Sequence, residues 1–159
     1  TIKAKVGVPI IAAGGIASGE SMYSAMALGA DGVQIGSLFA SSHESSAHDN
    51  FKNAIIDASD GSTYLTLKNV VPVRLLRNEF FQRIQSAILE GKDKVTLIKI
   101  LGKGRAKMGM FEGNLIEGEL EVGQISSTID EKKTVSHIFS DLILQFNKTK
   151  DKMDKIGRI

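Results

Sequence analysis

Val8-Pro9-Ile10-Ile11-Ala12-Ala13-Gly14-Gly15-Ile16-Ala17-Ser18-Gly19 runs an apolar stretch onto two adjacent glycines. A short apolar run bounded by Pro and Gly predicts a strand covered on both faces, the kind found in parallel sheets with helices outside. The next stretch, Glu20-Ser21-Met22-Tyr23-Ser24-Ala25-Met26-Ala27-Leu28, is made of good helix formers, with Met22, Ala25, Met26 and Gly29 along one stripe. Ser18 is placed to cap it, Glu20 stands where the helix dipole favours an anion, and Gly29 ends it. A second strand follows at once, Gly32-Val33-Gln34-Ile35, and it too breaks, onto Gly36-Ser37. Strand, helix, strand with short links is a βαβ unit, which puts both glycine breaks at the carboxyl ends of neighbouring parallel strands.

Two readings of the glycines follow. Gly14-Gly15 can simply make a tight turn, as glycine pairs often do. Alternatively, glycine lets a backbone approach a ligand closely and offer its N–H groups, which suits a phosphate. The second break at Gly36-Ser37 favours the phosphate reading, because in (β/α)8 barrels the loops after the last two strands form such a site with a short extra helix. Leu38-Phe39-Ala40-Ser41 fits that short helix, and Ser37 adds a hydroxyl donor. A dinucleotide site of the Rossmann type is disfavoured, because G-x-G-x-x-G is absent from the strand-to-helix turn.

The segment Pro9-Ile10-Ile11-Ala12-Ala13-Gly14-Gly15-Ile16, then Ala27-Leu28-Gly29-Ala30-Asp31-Gly32-Val33-Gln34-Ile35-Gly36-Ser37, then Glu44-Ser45 and Ala47-His48 ahead of Phe51-Lys52, resembles the carboxyl-terminal half of the nitronate monooxygenase family, formerly 2-nitropropane dioxygenases. It is similar also to enoyl-acyl-carrier-protein reductase II on the same scaffold. The resemblance continues through Pro72-Val73-Arg74 and Arg77-Asn78 and returns over 118–124. The motif around Gly14 is shared with other phosphate-binding barrels, including inosine monophosphate dehydrogenases. The Ala47-His48 segment and Arg77-Asn78 favour the first two families.

The resemblance implies an α/β fold of the FMN-binding (β/α)8 TIM-barrel kind and a flavoprotein oxidoreductase, while the lack of cysteine and of any membrane-spanning run makes the cytoplasm the expected location. The implied cofactor is FMN, and the implied substrate is a small molecule: an alkyl nitronate in the monooxygenase, an enoyl thioester in the reductase. It implies FMN phosphate on the backbone of Ala13, Gly14 and Gly15 and on Gln34, Ile35, Gly36 and Ser37. The family carries Thr where this chain has Ser37, so the hydroxyl is kept. The family's catalytic histidine lies upstream of the matching segment, so no catalytic residue is assigned in this chain.

A complete barrel of this kind takes about 250 residues, and this chain has 159. Only two barrel strands are legible, and they resemble the last two. The expected organisation is therefore residues 1–47 as the carboxyl-terminal part of a barrel with its phosphate loops, 48–120 as a smaller substrate or lid domain, and 121–159 as a segment whose helix returns to the barrel wall. Two strands cannot close a barrel. The chain is expected to be inactive alone and to pair with an N-terminal half or form a homo-oligomer.

Composition excludes more than it assigns. A net charge of +2, with no interleaving of basic and aromatic residues, argues against a nucleic-acid partner. The basic run over 148–158 reads as a solvated helix end. The absence of cysteine rules out a disulfide framework and thiolate metal sites within these residues. No apolar run approaches the roughly 20 residues a membrane span needs. Glu112, Glu117, Glu119 and Glu121 match no calcium-loop spacing and read as a solvated edge, so no metal is expected.

Further along, the pattern predicts a helix over 49–58 with Phe51, Ile55 and Ala58 inward, a turn at Asp60-Gly61, and a strand over 63–67. Residues 69–78 read as irregular or edge-like because of Pro72. A helix is predicted over 79–89 with Phe80, Ile84, Ala87 and Ile88 on its stripe, closed by Gly91. Residues 95–101 are ambiguous between helix and strand, and the glycines from Gly102 to Gly123 predict loops and short turns. Val135, Ile138, Phe139, Leu142, Ile143 and Phe146 repeat at helical spacing as the buried face of a last helix. His48 reads as a helix cap or, with less support, as a base; His43 and His137 read as structural or surface groups. Arg74 and Arg77 read as partners of nearby acids or, second, of an anionic substrate.

Overall fold

β1 (Ile11–Ala13) and β2 (Gly32–Gln34) pair in parallel, Ile11 beside Gly32 and Ala13 beside Gln34, with α1 (Gly19–Ala27) crossing between them. The computed structural model describes residues 2–156. Ser18 caps α1 reciprocally: its hydroxyl accepts the Ser21 N–H, while the Ser21 hydroxyl accepts the Ser18 N–H. Gly29, at φ +104°, ends the helix in a conformation that favours glycine. A single turn, α2 (Ser37–Ala40), follows β2.

A second region holds α3 (Asp49–Ile56), an antiparallel hairpin of β3 (Thr63–Thr66) and β4 (Val73–Leu76), and three helices, α4 (Glu79–Leu89), α5 (Lys94–Leu101) and α6 (Arg105–Met110). Residues 120–122 run beside β4: Leu76 N–H donates to Leu120 O at 3.0 Å and Val122 N–H to Arg74 O at 3.2 Å. A 3₁₀ turn over Gln124–Thr128 then leads to α7 (Val135–Asp154). One cluster packs the hairpin on α4 and α5 through Leu67, Leu75, Phe80, Phe81, Ile84 and Leu97. Another joins α3, the strand over 120–122 and the 3₁₀ turn through Phe51, Ile55, Leu120, Val122 and Ile129.

α7 lies along α1 at backbone contact. A Cβ at Gly19 would stand 2.2 Å from Phe146 N and 2.4 Å from Leu142 O, so only glycine admits this approach. Gln145 Oε1 accepts the Gly19 N–H at 2.8 Å, and Tyr23 meets Phe146 edge to face at 5.4 Å. The face α1 turns to α7 therefore carries Gly19 and Tyr23, while Met26, expected on the inner stripe, is exposed.

Several expectations are corrected. β1 is not covered on both faces: Ile11 is 56% exposed, because among the described residues no layer lies on its second face. On α7, Ile138 and Leu142 are buried but Phe139 and Ile143 are exposed at 53% and 57%, because the apolar stripe is wider than its contact with α1 and α2. Residues 95–101 are helical, capped by Asp93, whose carboxylate accepts the Thr96 N–H. The irregular stretch 69–78 contains β4. The glycine-rich stretch after Gly102 includes the helical turns of α6. The basic tail is helical as far as Asp154, and its last residues, 157–158, lie outside the described residues. No described helix is long and apolar enough to cross a membrane.

Candidate cofactor cradle

The parallel register sets Ala13 beside Gln34, so the chain leaves the sheet at two adjacent points, through Gly14-Gly15 and through Ile35-Gly36-Ser37. Gly14 and Gly15 take φ +86° and +72°, values that other residues rarely adopt. No heavy atom lies within 4 Å of where a Cβ would stand on Gly14, Gly15 or Gly36, which leaves an open ledge along the strand ends. Among the described residues, the N–H groups of Gly15 and Gly36 donate to no protein acceptor. Ser37 opens α2, and its Oγ accepts the N–H of Gly123 at 2.9 Å. The seven residues singled out in the sequence are thus gathered at one edge, with Ala13, Gly14, Gly15, Gln34 and Gly36 exposed and Ile35 and Ser37 half-buried.

The ledge suits an anion. Exposed glycine amides without internal partners are the donor set a phosphate takes, and the missing side chains admit it to the backbone. The acid nearest in sequence, Asp31, sits at the opposite, amino end of β2. There Lys3 Nζ donates to it at 2.5 Å and the Ile10 N–H at 2.7 Å, and these bonds, that of Lys3 foremost, hold its carboxyl below the ordinary value.

Other singled-out residues have structural partners. His48 Nδ1 accepts the Asn50 N–H at 3.1 Å and so caps α3, with its ring against Gly113, where a Cβ would stand 2.2 Å from Nδ1. Arg74 donates to Thr63 O and Oγ1 at 3.3 and 3.1 Å. Arg77 lies over the Tyr64 ring at 5.8 Å, beside a cavity of about 640 Å³ lined by Asn53, Asp57 and Ser62. Neither arginine pairs with a carboxylate among the described residues, contrary to expectation.

The acidic stretch is a solvated edge at Glu112 and Glu121, which are exposed, but not at Glu119, and Glu117 is ion-paired. Glu117 accepts from Arg83 at 2.6 Å and from Arg105 at 3.0 Å, and those bonds, Arg83 first, lower its carboxyl from 4.5 to about 2. Arg105 in turn lies 4.5 Å above the Phe80 ring. Glu119 is buried, and burial first, then the charge of Glu121, pushes its carboxyl up. Gly123, which the sequence marks as one of the loop-forming glycines, belongs to the cradle's surroundings. Its contact with Ser37 spans 86 positions, and the only further signal was its place in the family-like stretch 118–124.

The sequence profile of the family described as nitronate monooxygenase matches residues 1–145. The chain belongs to the nitronate monooxygenase family. Curated relatives include a probable nitronate monooxygenase of Staphylococcus saprophyticus, 39% identical over 83 residues that make up 50% of this chain and 23% of that protein. Another, from Bacillus subtilis, is 49% identical over 59 residues, 37% of this chain and 17% of the relative. Among solved structures, FabK from Thermotoga maritima aligns with a TM-score of 0.89 and 38% identity, covering 96% of this chain and 49% of FabK. A nitroalkane oxidase from Streptomyces ansochromogenes aligns at 0.74 and 26%, covering 96% of this chain and 43% of the oxidase. The chain thus spans about half the length of these solved relatives and shares their α/β fold over that half. The likeness to FabK agrees with the resemblance to enoyl-acyl-carrier-protein reductase II, and the family is one of flavin-dependent oxidoreductases.

Proposed function

We propose that this chain provides the FMN-phosphate cradle and the adjoining second domain of a (β/α)8-barrel enzyme that oxidises alkyl nitronates. The observation that carries the reading is the open ledge, where two glycine-marked strand ends lie side by side with amides that have no internal partner. In this reading the backbone of Ala13, Gly14 and Gly15 and of Gln34, Ile35 and Gly36 binds the phosphate, and the Ser37 hydroxyl donates to it. Bound FMN would supply the electron transfer between nitronate and oxygen. The residues of this chain hold and orient the cofactor, and the region 48–120 shields the site from water. The exposure of Val8 at 63% and Ile11 at 56% supports the idea that residues 1–47 finish a barrel whose other strands cover them.

The reductase is the second reading, and one observation favours it: the alignment with FabK is closer, in both TM-score and identity, than that with the nitroalkane oxidase. In that case the same cradle holds FMN while reduced flavin acts on an enoyl thioester. The experiment is an absorbance spectrum of the purified full-length enzyme, followed by two assays on the same sample. Bound flavin with oxygen-dependent turnover of an alkyl nitronate is the expected result. Nicotinamide-dependent reduction of an enoyl thioester with no nitronate turnover selects the reductase. A protein that neither retains nor takes up flavin overturns both.

A further inference from the structure

We infer that Gly123 is a positioning residue for the cofactor phosphate: its N–H fixes the Ser37 hydroxyl so that the hydroxyl proton is left for the ligand. The inference rests on the cradle reading above. Ser37 Oγ accepts the Gly123 N–H at 2.9 Å, and among the described residues the hydroxyl donates to no protein acceptor. A hydroxyl has one proton and two lone pairs. Once an amide occupies one lone pair, rotation about χ1 is restrained and the proton is free to meet an anion.

The glycine at 123 is explained by space and not by backbone conformation. Its φ of −72° and ψ of 155° are open to any residue. A Cβ there, however, would stand 2.8 Å from Ser37 Oγ, with Ile125 Cγ2 the next neighbour at 3.9 Å. An added methyl therefore meets essentially one thing, the hydroxyl, which can swing away at little cost to folding. It leaves the cradle when it does.

The position of Gly123 in the chain gives the contact a second consequence. Residues 120–122 are hydrogen-bonded along β4, and Gly123 O accepts the Ser126 N–H that opens the 3₁₀ turn. Gly123 is thus a point at which the hairpin region touches the loop after β2. The second region meets the cradle with an amide on the Ser37 hydroxyl, beside the apolar packing of Leu38 and Ala40 against its core.

The test measures FMN and riboflavin dissociation constants for the full-length apoenzyme and for Gly123→Ala, Ser37→Ala, the double variant and Ser37→Thr. Riboflavin lacks the phosphate, so it reads any effect that is merely structural. Loss of a hydrogen bond to a charged group predicts a roughly tenfold rise in the FMN constant for Gly123→Ala and for Ser37→Ala. The double variant should be no worse than Ser37→Ala, riboflavin binding should be unchanged throughout, and Ser37→Thr should keep the preference for FMN. A wild type that prefers FMN while Gly123→Ala binds it equally well overturns this inference alone. So does a Gly123→Ala that weakens FMN and riboflavin equally. A wild type that holds riboflavin as tightly as FMN overturns the cradle reading and this inference with it.

Discussion

The hairpin region and the βαβ region of this chain bury their apolar residues to very different degrees. Around α4, Phe80 and Ile84 are fully buried, and Phe51 and Ile55 of α3 are likewise at 0% exposure. Around β1 and α7, by contrast, Val8, Ile11, Leu28, Phe139 and Ile143 all stand in the open. The same kind of amphipathic pattern is covered in one region and only in part in the other, where Ile138 and Leu142 are buried and Phe139 keeps a tilted contact with the Phe39 ring at 5.4 Å. The region with the closed core carries none of the loops proposed to hold the cofactor, and the region with those loops is the one whose strands are covered on one side only. The closed core and the proposed cradle are thus separate along the chain, and Gly123 on Ser37 is one of the contacts that join them.

The contrast can be broken first at the closed core. Phe80→Ala should lower unfolding free energy by about 3–5 kcal/mol in chemical denaturation, since it empties a site packed by Leu75, Ile84 and the Arg105 guanidinium. Phe139→Ala, equally large in side-chain volume lost, should cost the same chain far less; equal costs would mean the two regions are packed alike. Next, Gly19→Val should cost about 1–3 kcal/mol, because its Cβ strikes the α7 backbone and not a movable side chain. A negligible shift in the denaturation midpoint would show that α1 and α7 are not in contact.

Acid should sharpen the comparison further. Glu117 is held low by Arg83 and Arg105, so its folded value, about 2, lies below the ordinary 4.5. Its contribution to stability is fully present above 4.5 and is lost as pH falls toward about 2. Glu117→Gln should flatten the fall in melting temperature over that window, and an unchanged slope would remove the ion pair from the account. The contribution is modest, because the carboxylate is solvated. The smallest effect belongs to the open face: Ile11→Ser should change stability by no more than about 0.5 kcal/mol in this chain while reducing binding of a hydrophobic dye. A large loss of stability there would mean β1 is buried.

What could be read from the sequence was local. Ser18 and Gly29 bracket α1 because a cap and a left-handed stop act within a few residues of themselves. The cap of α4 came only with the structure, where the Asn78 side chain accepts the Phe81 N–H. The meeting of Gly14-Gly15 with Gly36-Ser37 was legible too, since a βαβ crossover leaves one short-linked arrangement for two parallel strands. Partners distant in sequence were not legible. Glu117 lies 34 positions from Arg83, and nothing in its acidic surroundings marks it as paired with two guanidiniums. Hydrophobic spacing placed Ile138, Phe139, Leu142 and Ile143 on one stripe but carried no information on how much of that stripe a neighbour would cover. The sequence marks Gly123 as a loop glycine but not its contact, because the reason for its lack of a side chain is a hydroxyl in another loop.

The central claim is that the loops after β1 and β2 hold the phosphate of FMN. It is tested most directly by flavin content, read as the ratio of flavin to protein absorbance, in full-length wild type and Gly15→Val purified side by side. The account predicts flavin in the wild type and none in the variant. A β-branched residue at φ +72° is strained, and its methyl groups would stand in the ledge the phosphate needs. A folded Gly15→Val enzyme with undiminished flavin would contradict it.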